Sequence, residues 1–389
     1  MWRNIASNFL SIAVLLLVVL AGVLAWAQRQ YVGQGPLEQA ICYKVPSGAK
    51  LWQVAEGLEE KGAVTSAYIF KVGADYEGRA AGLKAGSYLL TPGASMQEIV
   101  AIVAGTGRST CGTEINYRIG VASVDVIVRE LDAVANRYVE RVKFDPATEA
   151  VPQDYVDVAE DADTRIRITL AEGVTSWQVV EALKRSDFLA GDAGDVPAEG
   201  YLKPDSYEIR RGAARGEVLA DMEARQRAVI DRLWAERASD LPYDTPEEAL
   251  VMASIVEKET GVPEERPIVA SVFVNRLRQG MRLQTDPTVI YGLTGGKGTL
   301  GRGIRQSELK KETPYNTYVI EGLPPTPIAN PGEDSIHAAL NPAQTDFLFF
   351  VADGSGGHVF AETLDEHNRN VAKWREIEAQ QKATEGSGN

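Results

Sequence analysis

Cysteine and histidine are scarce in this chain, with 2 Cys and 3 His among 389 residues. A disulfide-built mini-domain is therefore excluded. The histidines, His337, His358 and His367, lack HExxH spacing, so no zinc site is read and no metal or cofactor is expected. The glycine-rich stretch Gly292 to Gly303 lacks GxxxxGK[ST] and is read as a flexible loop. Ser307-Glu-Leu-Lys310 fits SxxK without the SDN and KTG partners, and chance supplies so short a pattern. A basic surplus is also missing. The formal charge is −14, which excludes nucleic acid as a general partner, because phosphate contacts need net positive charge. With 44% hydrophobic residues the chain is globular rather than disordered, and its length allows two or three domains.

One further absence is local. Between Arg3 and Arg29 no side chain is ionisable, and Phe9 to Ala27 is almost wholly apolar. About 20 such residues span a bilayer's hydrocarbon core. A signal peptide has a shorter apolar centre, so despite the loose cleavage-site match of Ala25-Trp26-Ala27 the segment is read as an uncut anchor, with Trp2 and Trp26 near the interfaces. One basic residue on each side leaves its orientation open.

Two segments after the anchor resemble each other. Val45-Pro-Ser-Gly-Ala-Lys-Leu-Trp-Gln-Val-Ala-Glu-Gly-Leu58 aligns without gaps on Leu170-Ala-Glu-Gly-Val-Thr-Ser-Trp-Gln-Val-Val-Glu-Ala-Leu183, with six of fourteen positions identical. Leu83-Lys84, Ser87-Tyr88 and Gly93-Ala94 are answered by Leu202-Lys203, Ser206-Tyr207 and Gly212-Ala213. A duplicated module is expected, each copy a strand, a Gly turn, a helix carrying Trp52 or Trp177, and a returning strand at Tyr88 or Tyr207. Both tryptophans are expected in the core, as is usual for Trp. Between the copies, Asp145 to Thr164 holds seven acidic residues and no basic one, which reads as a solvated linker. Cys42 and Cys111 bracket the first copy, and two thiols without CxxC spacing decide nothing about a bridge. Gly216 to Ala238 reads as an amphipathic connecting helix.

The last domain begins at a capping box, Thr245-Pro246-Glu247-Glu248, with Pro at the first helical position. Eight uncharged residues follow, Ala249 to Val256, then Glu257-Lys258-Glu259-Thr260 and Gly261. A helix apolar on all sides is buried. Glu257 continues the Leu250, Ala253 and Ser254 row and Glu259 continues Met252, Ile255 and Val256, so either carboxyl is open to desolvation and to general-acid work. The plain alternative is a solvated last turn. Phe347 to Ala352 and His358 onward read as a hairpin.

Met252-Ala-Ser-Ile-Val-Glu-Lys-Glu-Thr260, Val269-Ala-Ser-Val-Phe-Val-Asn-Arg-Leu277, Met281-Arg-Leu-Gln-Thr-Asp-Pro-Thr-Val-Ile-Tyr-Gly292, Thr313-Pro-Tyr-Asn-Thr-Tyr318, Gly322-Leu-Pro-Pro325 and Phe350-Val-Ala-Asp353 leading to Gly357-His358 together closely resemble the endolytic murein transglycosylase, or YceG-like, family. The resemblance implies an α+β chain with an N-terminal transmembrane helix, LysM-like α+β modules and a mixed α/β catalytic domain. The expected divisions are 1–28 (cytoplasmic tip and anchor), 36–110 and 166–243 (module copies, the second with its connecting helix), 111–165 (insertion or linker), 244–382 (catalytic domain) and 383–389 (flexible tail). It also implies a single-pass inner-membrane protein with a cytoplasmic N-terminus and periplasmic body, acting on peptidoglycan glycan strands beside the synthases that extend them. The catalytic role falls on the first Glu of the IVEKE run, Glu257, as acid and then base. Asn275, Gln284, Asp286, Tyr315, Asn316, Tyr318 and His358 become candidates for substrate binding. Two alternatives stand beside this: a lysozyme-type hydrolase pairing Glu257 with Asp286, and a non-catalytic peptidoglycan-binding scaffold. Within the last domain, residues 276–311 hold eight Lys or Arg against Asp286 and Glu308, a basic stretch expected to face stem-peptide carboxylates.

Overall fold

A computed structural model describes residues 2–161 and 163–386. The chain is mixed α+β and divides into two compact units. One takes in the residues up to Asn116 with Val126–Phe144 and Ala150–Ile166; the other takes in Tyr117–Asp125, Asp145–Glu149 and the chain from Arg167.

The first unit starts with α1 (Trp2–Val32), whose Ser11–Val32 portion is long and apolar enough to cross a membrane. Its Leu15 and Leu17 side chains lie open. The last turn enters the folded unit, where Tyr31 packs so closely on Gly73 that a Cβ there would lie 2.2 Å from the Tyr31 ring. β1 (Ile41–Val45) pairs antiparallel with β2 (Gly86–Leu90), Ile41 opposite Leu90 and Val45 opposite Gly86. α2 (Leu51–Glu60), α3 (Ala67–Tyr76) and α4 (Met96–Val103) close a core containing Leu58, Phe70, Tyr88 and Ile99. Cys42 and Cys111 are joined by a disulfide.

Strand β3 (Thr113–Ile119) turns into β4 (Val124–Asp132), which pairs antiparallel with β5 (Arg137–Phe144) from Val126 opposite Phe144 to Asp132 opposite Arg137. The acidic run read as a solvated linker is partly structured. It contains α5 (Gln153–Ala159), whose Tyr155 is buried edge-on against Phe144, and Asp163 accepts from Ser87 Oγ at 2.7 Å and pairs with Lys44 at 2.9 Å. Tyr155 and Asp163 anchor the run while Glu149, Asp154, Asp157, Glu160 and Asp161 stay exposed.

Strand β6 (Arg165–Leu170) opens the second copy, followed by α6 (Ser176–Arg185), β7 (Leu189–Ala190), β8 (Ser206–Ile209) and β9 (Ala213–Ala214), with β8 beside β6 and β7 parallel to β9. The two copies match in detail. Gly48 and Gly173 hold φ of 74° and 76°, and Gly93 and Gly212 hold 73° and 81°. Gln53 accepts from the Lys50 N–H at 2.9 Å as Gln178 does from the Thr175 N–H at 3.0 Å, each closing the first turn of its helix. Tyr88 donates to Lys84 O at 3.0 Å and Tyr207 to Lys203 O at 2.6 Å. The identities thus preserve turns and caps. The tryptophans do not follow the expectation of burial: Trp52 is 48% exposed and Trp177 is half-buried, because each sits on the outer side of its helix while Val54 and Leu58, or Val179 and Leu183, face the core.

Helix α7 (Arg215–Ala235) leads to α8 (Pro246–Glu259), which begins at the Thr245–Glu248 capping box and ends before Gly261. Ala249 to Val256 are all buried, enclosed by α7, α9 (Arg266–Arg278), α10 (Asp286–Thr294) and α12 (Glu333–Leu340). Between the last two lies the short α11 (Gln306–Leu309). A hairpin of β10 (Phe349–Ala352) and β11 (His358–Ala361) sets Ala352 opposite His358, and α13 (Leu364–Gly386) follows. That helix covers most of the stretch read as a tail; 387–389 lie outside the described residues.

Candidate active site

The core ends where α8 does, and its last turn sends two carboxylates apart. Residues two apart on an α-helix point about 200° from each other. Glu257 reaches the start of α12, where its Oε2 accepts from the Gly332 N–H at 3.0 Å. Burial raises its pKa, and Glu172 nearby adds to the rise, while Ser335, the Gly332 N–H and Arg266 work the other way. Ser335 Oγ lies beside this carboxylate without reaching hydrogen-bond geometry. A carboxylate at a helix N-terminus is held toward its charged form.

Glu259 faces a different set of groups. Its Oε1 accepts from Thr285 Oγ1, and burial pushes its pKa up to about 6. The Thr285 bond and the charges of His358 and Arg276 oppose that rise, and Asp286 reinforces it. Thr285 is itself fixed, its N–H donating to Thr317 Oγ1 at 3.0 Å and its carbonyl accepting from Thr288 Oγ1 at 2.8 Å. Gln284, just before it, holds φ of 54°, a conformation that is uncommon outside glycine. Such backbone outliers gather at functional sites.

Several sequence-predicted residues meet here. Tyr318 donates to Asp286 Oδ1 at 2.7 Å; burial, reinforced by that bond, raises the phenol's pKa. His358 Nδ1 lies 2.7 Å from Glu265 Oε2, and Glu265 also accepts from the His358 N–H at 2.7 Å and from Thr260 Oγ1 at 3.0 Å. Burial works to raise Glu265, but these bonds outweigh it and hold its carboxyl below the usual range. Thr285 and Glu265 were not singled out in the sequence. Thr285 lies inside a matching block; Glu265 carries no local signal, since its partner is 93 residues away.

Other candidates are engaged in scaffolding. Asn275 Nδ2 donates to Thr345 O at 2.7 Å and Phe347 O at 3.1 Å, fixing the approach to β10. Asn316 is buried and donates to the carbonyls of Glu308, Leu309 and Lys311. Tyr315 packs on Tyr291 with centroids 5.0 Å apart and bonds Thr326. Gln284 offers an exposed side chain. Part of the basic stretch is engaged in the fold: Arg276 is buried and donates to Leu348 O and Leu283 O, Arg278 pairs with Asp240 and Arg302 with Glu308. Arg282, Lys297, Arg305, Lys310 and Lys311 keep exposed side chains.

Residues 43–373 match the model of the YceG-like family. A Bacillus subtilis protein named endolytic murein transglycosylase is 28% identical over 331 residues, covering 85% of this chain and 83% of that one. A Streptococcus pneumoniae protein of the same name is 28% identical over 337 residues, and the match spans 57% of its length. A crystal structure of a yceG-like protein from Listeria monocytogenes aligns with TM-score 0.45 and 24% identity, over 85% of this chain and 99% of that one. With the family model covering the duplicated modules, α8 and every block around Glu259, the chain belongs to the YceG-like family.

Proposed function

We propose that this protein is an endolytic murein transglycosylase, a lyase that cuts peptidoglycan glycan strands internally, with Glu259 as its acid and base. The observation that carries the assignment within the site is a carboxyl desolvated to a pKa of about 6 among Thr285, Asp286, Tyr318 and His358. Protonated Glu259 donates to the oxygen between MurNAc C1 and the neighbouring GlcNAc, and that bond breaks. The resulting carboxylate takes the proton of the MurNAc C6 hydroxyl, whose oxygen closes on C1 to leave a 1,6-anhydro end. Water does not react, so neither a second carboxylate to activate it nor a covalent glycosyl-enzyme is required. Tyr318 and the His358–Glu265 pair orient Asp286 and the wall of the site.

In this reading Ser11–Val32 anchors the chain in the inner membrane with the body in the periplasm, beside the synthases whose strands it terminates, and the duplicated modules are its LysM-like part. A second assignment, Glu257 as the acid, is favoured by the burial that raises its pKa. It is weakened by the Gly332 N–H, which supports the ionised form.

Mass spectrometry of the ends released from peptidoglycan by the purified chain tests both. Glu259→Gln is expected to lower the cleavage rate by about 10²–10⁴, the usual contribution of a general acid. Glu257→Gln is expected to keep more than about a tenth of the rate, its loss being one of helix anchoring. The reverse order would move the role to Glu257. Reducing ends in place of anhydro ends would replace the lyase by a hydrolase.

A further inference from the structure

A trough leads away from the end of α8. Its first part, a cleft of about 260 Å³, is walled by Lys258, Pro287, Tyr291, the loop at Gly296, Val121 and Gln178. Lys258, which stands between the two carboxylates of the last turn of α8, donates to Gly173 O at 3.3 Å on the same wall, so the trough starts at the end of that helix. A second cleft of about 190 Å³ shares Val121 and Gln178 and adds Trp177 with four charged side chains, Asp145, Glu181, Arg185 and Lys297. Every one of these residues belongs to the second unit.

The walls are tied together by direct bonds. Gln178 Nε2 donates to Val121 O at 2.9 Å, holding the tip of the β3–β4 turn, which the Gly120 N–H closes on Ser123 O at 2.9 Å. Thr175 Oγ1 donates to Gly296 O at 2.6 Å and holds the glycine-rich loop. The trough is therefore shaped before any ligand arrives.

Its lining selects the ligand. An indole left on a cleft wall forgoes apolar burial, and Trp177 does so on the outer side of α6, only half-buried. Two acidic and two basic side chains surround it and their charges cancel. Glu181 already pairs with Lys184 at 2.9 Å, and Asp145 Oδ1 accepts from the Ala147 N–H at 2.8 Å. An anionic peptide needs a basic surplus that is absent here. A neutral pyranose instead offers a flat apolar face to the indole, and hydroxyl and acetamido groups that serve donors and acceptors alike.

We propose that Trp177, with Glu181, Arg185 and Lys297 around it, forms a distal saccharide subsite that grips the glycan strand away from the bond being cut. The proposal rests on the murein-cutting reading for the identity of the strand; cutting inside a strand requires hold of sugars beyond the scissile pair.

The test is binding of peptide-free glycan strands, prepared by amidase treatment, to the full chain in detergent, in a Glu259→Gln background so that nothing turns over. Trp177→Ala is expected to raise Kd about tenfold, with Trp177→Phe recovering part of the loss and the surface change Arg185→Ala raising Kd about threefold. Free stem peptide is expected not to compete. Unchanged Kd in folded Trp177→Ala and Arg185→Ala proteins would overturn the subsite, as would competition by stem peptide. Because the readout is binding, the result stands apart from the fate of the catalytic assignment: a wild-type chain that binds strands through Trp177 yet leaves them intact would sink the lyase and keep the subsite.

Discussion

A carboxyl group that ionises near pH 6 makes two measurable demands at Glu259. The first concerns rate. The reaction begins from the protonated acid, so kcat/KM is expected to fall tenfold per pH unit once pH rises past about 6. The second concerns stability and has a definite sign. The folded state binds this proton more tightly than the unfolded chain, whose carboxyl has the ordinary value of 4.5, so stability falls as pH climbs from about 4.5 through about 6. That difference is worth on the order of 2 kcal/mol. Glu259→Gln is expected to remove this component of the pH dependence, seen as urea midpoints that no longer drop across the window. Glu257 gives a contrast. Both carboxyls continue apolar rows of a helix buried on every side, so periodicity alone had no outward face by which to rank them. The difference lies in partners remote in sequence: Gly332 for Glu257, Thr285 and His358 for Glu259.

At the scale of elements, α8 was legible because each of its signals is local: capping box, Pro at the first position, uncharged run, Gly stop. The repeat was legible for a related reason, since its identical residues include a turn glycine, the capping Gln53 or Gln178, and the core positions Val54 and Leu58 or Val179 and Leu183. Gly48 and Gly173 illustrate this. Both are left-handed, and a Cβ at Gly48 would meet nothing within 4 Å, while one at Gly173 would meet only ordinary contacts at 3.6 Å and beyond. Gly48→Ala and Gly173→Ala are therefore each expected to cost about 1–2 kcal/mol through backbone conformation alone. Urea unfolding of the two variants checks this, and a clearly larger loss at Gly173 would show that the second copy has acquired a constraint of its own. What the repeat could not convey is which way its tryptophans point, because a helix with two apolar residues on its opposite side can bury those instead. The acidic run from Asp145 keeps most of its carboxylates exposed, but α5 and the partners of Tyr155 and Asp163 within it are features that composition does not reveal.

For the whole molecule, the residue balance runs from +2 over the first 35 residues to 24 basic against 33 acidic over 36–243 and 13 against 20 over 244–380. Flanking charge leaves the side of the membrane open, because Arg3 and Arg29 oppose each other across the apolar span. The disulfide supports the proposed periplasmic side where charge is silent. Cys42 lies ten residues past the span Ser11–Val32 and is bonded to Cys111, 69 residues on. Such bridges persist in oxidising compartments and are rare in the cytosol. In cells, both cysteines are therefore expected to resist thiol labelling until a reductant is added. Closing a loop of that length is worth about 2–4 kcal/mol to the fold. Cys42→Ser is then expected to lower the unfolding midpoint of the first unit, whose strand β1 carries Cys42, while leaving the pH dependence attributed to Glu259 in the second unit intact. Free thiols in untreated cells would place the body on the cytoplasmic side, away from peptidoglycan, and the murein-cutting assignment would fall with the topology.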